Sequence, residues 1–590
     1  MSAESLITQH LDTWTQAIET KSTAGRGSSN KLNLVGIQKL RELILEMAVR
    51  GLLVPQDPND EPASVLLEKI AAEKAQLIKD GKIKKAKVQP KITEDEKLFN
   101  VPNGWAWVRL GEVGRWAIGS GFPKKIQGTE GAEILFSKVS DMNLEGNEKY
   151  LIATVNTITN DIAVEHKLKI HQNGTVIFPK IGGAIATNKR RILVQPTVID
   201  NNCLGITPTV GITTDYLYLY LQSLDLTEYQ AGTSVPALSQ SVLDLITLGL
   251  PPLEEQRRIV TKVDELMVLC DQLESQTLDS IAAHQTLVET LLGNLVNPEN
   301  TANFDQAWSL IAQNFDVLFT TEHSIDTLKQ TILQLAVMGK LVPQNPSNEP
   351  ASELLKKIAT EKAQLIADKK IKKSKPLPPI TEAEKPFDLP DRWEFVRLSE
   401  LVVFENGDRS SRYPSQSDLK NEGIPFFGAK DMIDGELVVD NDLRFISEEK
   451  FSELSNGKLK EKDFVVLLRG TVGKIAQFNV SKFDTGFINA QMLIIRFIQP
   501  EMSLYFRKYF ESILFENQIS EFITGSAVKQ MPASKLESVL VCVPPKEEQP
   551  RIVAKVNELM TLCDQLKTQL QTAQQTQIHL AQSISQEALA

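Results

Sequence analysis

Three short stretches hold residues whose types and spacing could do chemistry. Arg469-Gly-Thr-Val-Gly-Lys474-Ile475 has the glycines and lysine of a phosphate-cradling loop. It lacks the first glycine at the required spacing, and no Ser or Thr follows Lys474 to reach a metal ion. His166 and His171 lie five residues apart in an expected loop or strand; the other histidines are scattered and no H-E-x-x-H occurs. "TEDEKL" around Asp95 sets acids beside a lysine, as a nuclease would, but its twin "TEAEKP" loses the aspartate. There is no G-x-S-x-G elbow, and no Asn-Pro-Pro-aromatic run of the kind that grips an exocyclic amine. The remaining carboxylates fall on amphipathic helices, where a solvated face is their ordinary use. The residues read as binder and scaffold, without a catalytic group or a metal site.

The elements that would position any binding group are written twice. "PPLEEQRRIVTKVDELMVLCDQLE" (251–274) and "PPKEEQPRIVAKVNELMTLCDQLK" (544–567) agree at 18 of 24 positions, 293 residues apart. Upstream, "EPASVLLEKIAAEKAQLIKDGKIKK" (61–85) and "EPASELLKKIATEKAQLIADKKIKK" (349–373) agree at 20 of 25, offset by 288. That offset holds without a gap to Trp105 and Trp393, so the stretches between the repeats differ in length by only five residues. Those stretches share little sequence. This predicts five segments: an N-terminal helical extension with linker, 1–104; a variable module, 105–250; a central helical spacer, 251–392; a second variable module, 393–543; and a C-terminal helix, 544–590.

The spacing of Ile259, Val263, Leu266, Cys270 and Leu273 is 4, 3, 4, 3, repeated in Ile552, Val556, Leu559, Cys563 and Leu566. That is a heptad seam, which buries one stripe against a partner helix. Leu287, Leu291 and Leu295 continue the first copy. Pro-Pro followed by Glu-Glu-Gln suits a helix start, where proline fits and carboxylates meet the positive end of the dipole. Leu66, Ile70, Leu77 and Ile78 share a face of the upstream helix. The N-terminal "LNLVGIQKLRELILEMAV" resembles "SIDTLKQTILQLAV" at 324–337, so the C-terminal helix is expected to lie beside the N-terminal region. The modules read as short β-rich runs followed by a helix and a last apolar strand, "LITLGL" or "VLVCV". The expected fold class is α+β: two similar domains separated and framed by long antiparallel, coiled-coil-like helices in a pseudo-twofold internal repeat.

At 590 residues the chain is too long for one core. No apolar run is long enough to span a membrane, and the first residues do not read as a secretion signal. The four cysteines are far apart, two of them the seam residues Cys270 and Cys563, which predicts buried, reduced thiols in a cytoplasmic protein.

Two unlike inserts, each closed by P-P-x-E-E-Q-x-R-I-V-x-K, resemble the specificity subunit of a type I DNA restriction–modification system over nearly the whole chain. The extended N-terminus and the repeat "LVPQxPxxEPASxLLxKIAxEKAQLI" resemble the subfamily called type IB. The resemblance implies that each module is a target-recognition domain reading one half of a split, asymmetric site in double-stranded DNA. It implies that the repeated helices pack on each other as a spacer and dock two modification (methyltransferase) subunits, with restriction (motor and nuclease) subunits joining them. S-adenosylmethionine, ATP and Mg2+ then belong to those partners; none is expected in this chain. The host is expected to be bacterial or archaeal. The other reading is a helical scaffold whose variable modules bind proteins.

Arg and Lys suit phosphates and guanine edges, and Asn suits adenine. On those grounds the candidate DNA contacts are Lys180, Asn188, Lys189, Arg190 and Arg191 in the first module, with Arg469 and Lys474 at the matching place in the second. Lys138 and Lys430, in the aligned "FSKVSDM" and "FGAKDMI", join them, as do Arg409 and Arg412 in a loop. The candidate spacer and docking residues are the ten seam positions. Charge cuts the other way: the whole chain carries −11. The first module has 12 Lys and Arg against 13 Asp and Glu, and the second 18 against 22. Basic residues must cluster on one face, or partners must supply part of the phosphate grip.

Overall fold

The structure, a computed structural model, describes residues 3–21, 31–81, 89–232, 235–297, 301–373, 376–440, 442–480, 483–525 and 529–589. Most of the first basic linker and parts of the "GTSV" and "GSAV" turns lie outside these residues. The framing helices in chain order are α1 (Ala3–Gln9), α2 (Leu11–Gln16), α3 (Val35–Val49), α4 (Ala63–Lys79), α5 (Leu253–Val296), α6 (Thr301–Gln313), α7 (Phe315–Leu318), α8 (Glu322–Val337), α9 (Ala351–Ala367) and α10 (Glu548–Glu587). The chain forms two compact units, residues 1–280 with 572–590, and residues 281–571. Each long helix therefore begins in one unit and ends in the other.

The seam residues are interior. In the first unit Ile259, Val263, Leu266 and Cys270 are buried, with Leu273 packed at the margin of the same core. Their neighbours there are Ile37, Leu40, Ile44 and Met47 of α3, with Ala581 and Ile584 from the end of α10. In the second unit Ile552, Val556 and Cys563 are buried, with Leu559 and Leu566 partly so, against Ile325, Ile332 and Ala336 of α8 and Val288, Leu292 and Leu295 from the end of α5. The two long helices share both cores, as expected of repeated helices that pack on each other, and each core also takes in its own unit's α3 or α8. Further along α5 the expectation holds at Leu295, which is buried, and at Leu291, which is partly buried, but Leu287 is half exposed while Val288 and Leu292 are buried. A straight α-helix drifts by about 20° per heptad, so a strict seven-residue reading loses the buried face after a few turns.

Ion pairs record the register. Arg41 on α3 meets Asp271 and Glu274 on α5, each at 2.8 Å. The same place in the second unit has Lys329 on Asp564, and Lys567 on Asp326 at 2.9 Å. The expected neighbourhood of the C-terminal helix and the N-terminal region is present: Arg50 donates to the Leu589 carbonyl at 3.4 Å. The duplication also reaches further than the sequence first showed. "SLITQHLD" (5–12) matches "SLIAQNFD" (309–316) at five of eight positions. The helix breaks at His10 (φ −119, ψ 25) and Asn314 (φ −118, ψ 23) share one backbone conformation.

The repeated Pro-Pro-x-Glu-Glu-Gln also has a physical reason. The Glu255 carboxylate accepts from the Trp105 indole at 3.0 Å and the Gln56 amide at 3.0 Å. Glu548 accepts from Gln344 at 2.8 Å and Trp393 at 3.3 Å. Burial raises both carboxyls above their ordinary value, against the lowering by those donors. One glutamate thus joins the "VPQ" turn, the module's first strand and the long helix, so all three segments recur together. The acidic linker resolves the same way. Glu96 of "TEDEKL" pairs at 2.8 Å with Arg109, which also donates to the Leu245 carbonyl; Glu384 of "TEAEKP" pairs with Arg397 at 2.6 Å. These groups staple linker to module.

The modules have one topology. In the first, β1 (Gly114–Ile118), β2 (Tyr150–Leu151), β3 (Val176–Pro179), β4 (Arg191–Leu193) and β5 (Cys203–Pro208) form a sheet in the order β1-β5-β3-β4-β2. In the second, β6 (Val402–Asn406), β7 (Met432–Ile433), β8 (Glu436–Leu437), β9 (Phe464–Leu467), β10 (Ile475–Gln477) and β11 (Met492–Phe497) run β6-β11-β9-β10-β8-β7. The β4–β2 and β10–β8 pairs are both parallel, and the rest of the shared order is antiparallel. A helix packs on each sheet, Thr214–Ser223 through Tyr216, Leu217 and Leu221, and Ser503–Phe510 through Tyr505, Phe506 and Tyr509. Each module is closed by an antiparallel strand pair, Ala106–Arg109 with Thr247–Leu250 and Glu394–Arg397 with Leu540–Val543.

Candidate nucleic-acid interface

Register makes the modules comparable residue by residue. Pro179 and Leu467 hold the same place, since Cys203 pairs with the one and Met492 with the other. Counting on, Ile181 matches Arg469, and each forms an isolated bridge to the segment before the closing strand, at Ala237 and Gln530. Gly182 (φ 72) and Gly470 (φ 88) follow, both in the left-handed region that favours glycine. Lys180 therefore matches Leu468, so the two modules present a basic residue one position apart.

The segment ahead of β4 and β10 aligns through the ladder, where Ile177 pairs with Arg191 and Val465 with Ala476. Asn188 (φ 50) then matches Gly473 (φ 84), each left-handed. Lys189 and Lys474 match after it, a position with a lysine in both modules. The "RGTVGK" stretch is the turn between β9 and β10, closed by Gly473 N–H to the Leu467 carbonyl at 3.0 Å and Leu467 N–H to the Lys474 carbonyl at 2.9 Å. A strand–turn–strand cannot present the helix N-terminus a phosphate cradle needs.

The remaining candidates divide by what already holds them. Arg190 is 1% exposed; its guanidinium donates to the carbonyls of Leu221, Lys189 and Leu224 and lies 5.5 Å from the Phe178 ring. Burial lowers its pKa to about 10. That side chain caps the end of the Thr214–Ser223 helix and is closed to a ligand. Arg191 is half-buried and bonded to the carbonyls of Arg190 and Met142. Asn188 donates to the Gln222 carbonyl, and the Lys189 ammonium to the Asn143 side chain. Lys138 is half-buried with its ammonium 4.4 Å over Phe122, a ring stacked on Phe136.

In the second module Arg409 bonds the Ala490 carbonyl, Arg412 the Glu453 carbonyl, and Lys430 the Asp442 carbonyl at 2.6 Å, all at the surface. Arg469 and Lys474 are exposed. Lys138 and Lys430 are not equivalent. Asp141 accepts from Lys138 N–H and Asp431 from Gly428 N–H, each at 2.7 Å, which places Lys430 opposite Ser140.

A cleft between Ser120–Pro123 and His166–Leu168 is made by segments distant in sequence, with Lys124 and Lys125 next to it. Only "GSGFPKK" itself, glycine beside lysines, could have marked it. His171 is apart from that group, its ring nitrogen at the Ile118 carbonyl, 3.2 Å. Among the described residues no group of three or more His, Cys, Asp or Glu is placed to hold a metal ion, and no helix is long and apolar enough to cross a membrane.

A family model described as type I restriction modification DNA specificity domain matches twice, at residues 102–283 and 390–574. The chain is similar to the type I restriction enzyme EcoAI specificity subunit of Escherichia coli, 39% identical over the whole of both chains. It is also similar to the EcoEI specificity subunit of the same organism, 38% identical with the same complete coverage. Among solved structures, the HsdS subunit from Thermoanaerobacter tengcongensis is 20% identical, covering 84% of this chain and 98% of that one with a TM-score of 0.41. The chain belongs to the family of type I restriction–modification specificity subunits. Both matches span the whole of this chain, so its N-terminal extension and both copies of its upstream repeat lie within them.

Proposed function

We propose that the chain reads a bipartite, asymmetric DNA site, one half with each module, and directs adenine methylation and restriction by subunits that carry the chemistry. One observation carries this: two sheets of the same strand order, on a duplicated frame, hold different side chains at matching register positions. An asymmetric sequence needs two unlike reading surfaces held by like supports. The chain is the non-catalytic member of the complex. S-adenosylmethionine, ATP and Mg2+ serve the modification and restriction subunits, and the assembly works in the cytoplasm.

Lys474 and Arg469 in the second module, and Lys180 and Lys189 in the first, are the contacts this reading favours, with Asn188, Lys138, Arg409, Arg412 and Lys430 around them. The modules are close to neutral or acidic, so the chain alone binds DNA weakly and the assembled complex binds tightly.

The long helices α5 and α10 are the spacer. Half-sites read from one face of B-DNA sit about 34 Å apart, and a helix of about 40 residues is roughly 60 Å long. Four residues inserted in each of α5 and α10 lengthen the helix by ~6 Å, nearly two steps of ~3.4 Å. Mapping of modified bases in a host carrying this chain and its modification subunit reads the result. The expected outcome is a half-site spacing longer by one to two base pairs with both half-sites unchanged; unchanged spacing rejects the ruler.

A further inference from the structure

The two copies have diverged unevenly, and the unevenness points to a surface. Along α3 and α8, residues 34–49 and 322–337 agree at six of sixteen positions. Those six are Ile37, Leu40, Ile44, Leu45, Ala48 and Val49, and they with their twins are buried or half-buried. Exposed positions have drifted: Gln38 corresponds to Asp326 and Glu42 to Gln330. The duplication is thus old enough for unconstrained surface to change. On α4 itself exposed Glu68 has become Lys356.

The last turns of α4 and α9 break this rule. Ala75-Gln76-Leu77-Ile78 recurs as Ala363-Gln364-Leu365-Ile366, and Asp80 as Asp368. Core packing does not explain it: the buried residues of α4 are Ala63, Leu66 and Ile70, and of α9 Ala351, Leu354 and Ile358, all earlier in each helix. Ile78 is 37% exposed, Leu77, Leu365 and Ile366 are partly buried, and none of the four packs into the hydrophobic core of its unit among the described residues. Even the surface geometry recurs, Gln76 to Asp80 and Gln364 to Asp368, each at 2.7 Å. The sequence Lys-Ile-Lys-Lys follows both, and Lys370, Lys372 and Lys373 are exposed.

We infer that the ends of α4 and α9 are two docking handles, one per unit, for the modification subunit, each seating Leu77-Ile78 or Leu365-Ile366 in an apolar groove with an acidic rim. This rests on the function proposed above. The same exposed residues kept twice fit the same partner bound twice. Each handle is rooted on its own module: Lys74 donates to the Glu112 carbonyl at 3.0 Å, Glu73 accepts from Val210 N–H at 3.2 Å, and Lys362 donates to the Val402 carbonyl at 3.1 Å. A subunit that methylates a base in each half-site has to be held once beside each module; the basic run selects the acidic rim.

The test is stoichiometry, by native mass spectrometry of the full chain with its modification subunit. The unaltered chain takes two. L77D with I78D removes one handle and leaves a one-to-one complex. Adding L365D with I366D weakens both, by ~30-fold or more per site, the scale of an interface hot spot. A75K with A363K, on exposed helix positions where lysine is well tolerated, gives the same loss without touching the apolar pairs. E68K, at the diverged position of the same helix, changes nothing. Failure of the unaltered chain to bind any modification subunit rejects the proposed function. Two subunits bound to the four-residue variant with unchanged affinity rejects the handles alone. Loss of a restriction subunit, or of DNA affinity, with modification subunits still bound assigns the surface elsewhere and overturns the inference.

Discussion

The first module and the second share five strands of their main sheets in the same order and differ at the turns between them. Where the first has Lys180-Ile181, the second has Leu468-Arg469; where the first has Asn188-Lys189-Arg190-Arg191, the second has Gly473-Lys474-Ile475-Ala476. Only the lysine is common. The left-handed residue before it is kept as a conformation while its identity changes, which is what backbone geometry requires and no more. The difference teaches that the sheet fixes where a side chain is offered and leaves open which one is offered. The staples behave the opposite way: Glu255 with Trp105 and Gln56, and Glu548 with Trp393 and Gln344, are the same residues in both units.

That contrast can be broken or sharpened by experiment. The largest effects belong to the shared staples. E255A and E548A each strand a buried indole N–H and an amide, a loss of about 1–3 kcal/mol, and the two should be equal within ~0.5 kcal/mol if the units are true equivalents. Denaturant unfolding followed by hydrogen exchange in each unit measures both. Next come the positions that differ. R469A should lower affinity of the assembled complex by about 1–3 kcal/mol at the second half-site only, if the side chain reads a base. I181A, its register partner, should leave DNA binding unchanged. R190A should act on stability instead, by roughly 1.5–3 kcal/mol from its lost bonds to carbonyls, visible as a lower melting temperature. Competition binding with each half-site scrambled separates these outcomes.

The smallest effect is acid sensitivity. Bonding to Arg109, then to the Thr93 N–H, holds the Glu96 carboxyl down at about 2; the Thr381 N–H, then Arg397, does the same for Glu384. A depressed carboxyl contributes stability above its ordinary value of 4.5 and loses it as pH falls toward about 2. E96Q with E384Q should flatten the pH dependence of the melting temperature within that window, lowering the melting temperature at neutral pH and leaving it nearly unchanged at the acid end.

The frame was legible in the sequence because a repeated period names a buried face. Ile259, Val263, Leu266 and Cys270 are interior, as their spacing requires. Period alone does not name every neighbour: α3 and α8 join the long helices in each core, and their resemblance to one another did not by itself place them beside the seams. The two helices between them also set a trap: a heptad read past Leu273 selects Leu287, which the drift of a straight helix turns outward. At the candidate site, composition found the right loops but could not sort the basic run. Lys189 lies at the surface end of its turn and Arg190, one residue on, is folded back over Phe178. Neighbours in a tight turn point different ways, and only the register with β3 says which.

The exchange of helix ends has a consequence for how the protein is made. Ala581 and Ile584 complete the apolar interior that Leu6, Trp14 and Ile37 begin. A ribosome finishes the first unit only after translating nearly all of the second. The early half must wait, partly assembled and with apolar surface uncovered, while the later half folds. Chaperone demand should therefore fall on nascent chains that have passed the first module and not yet reached residue 584.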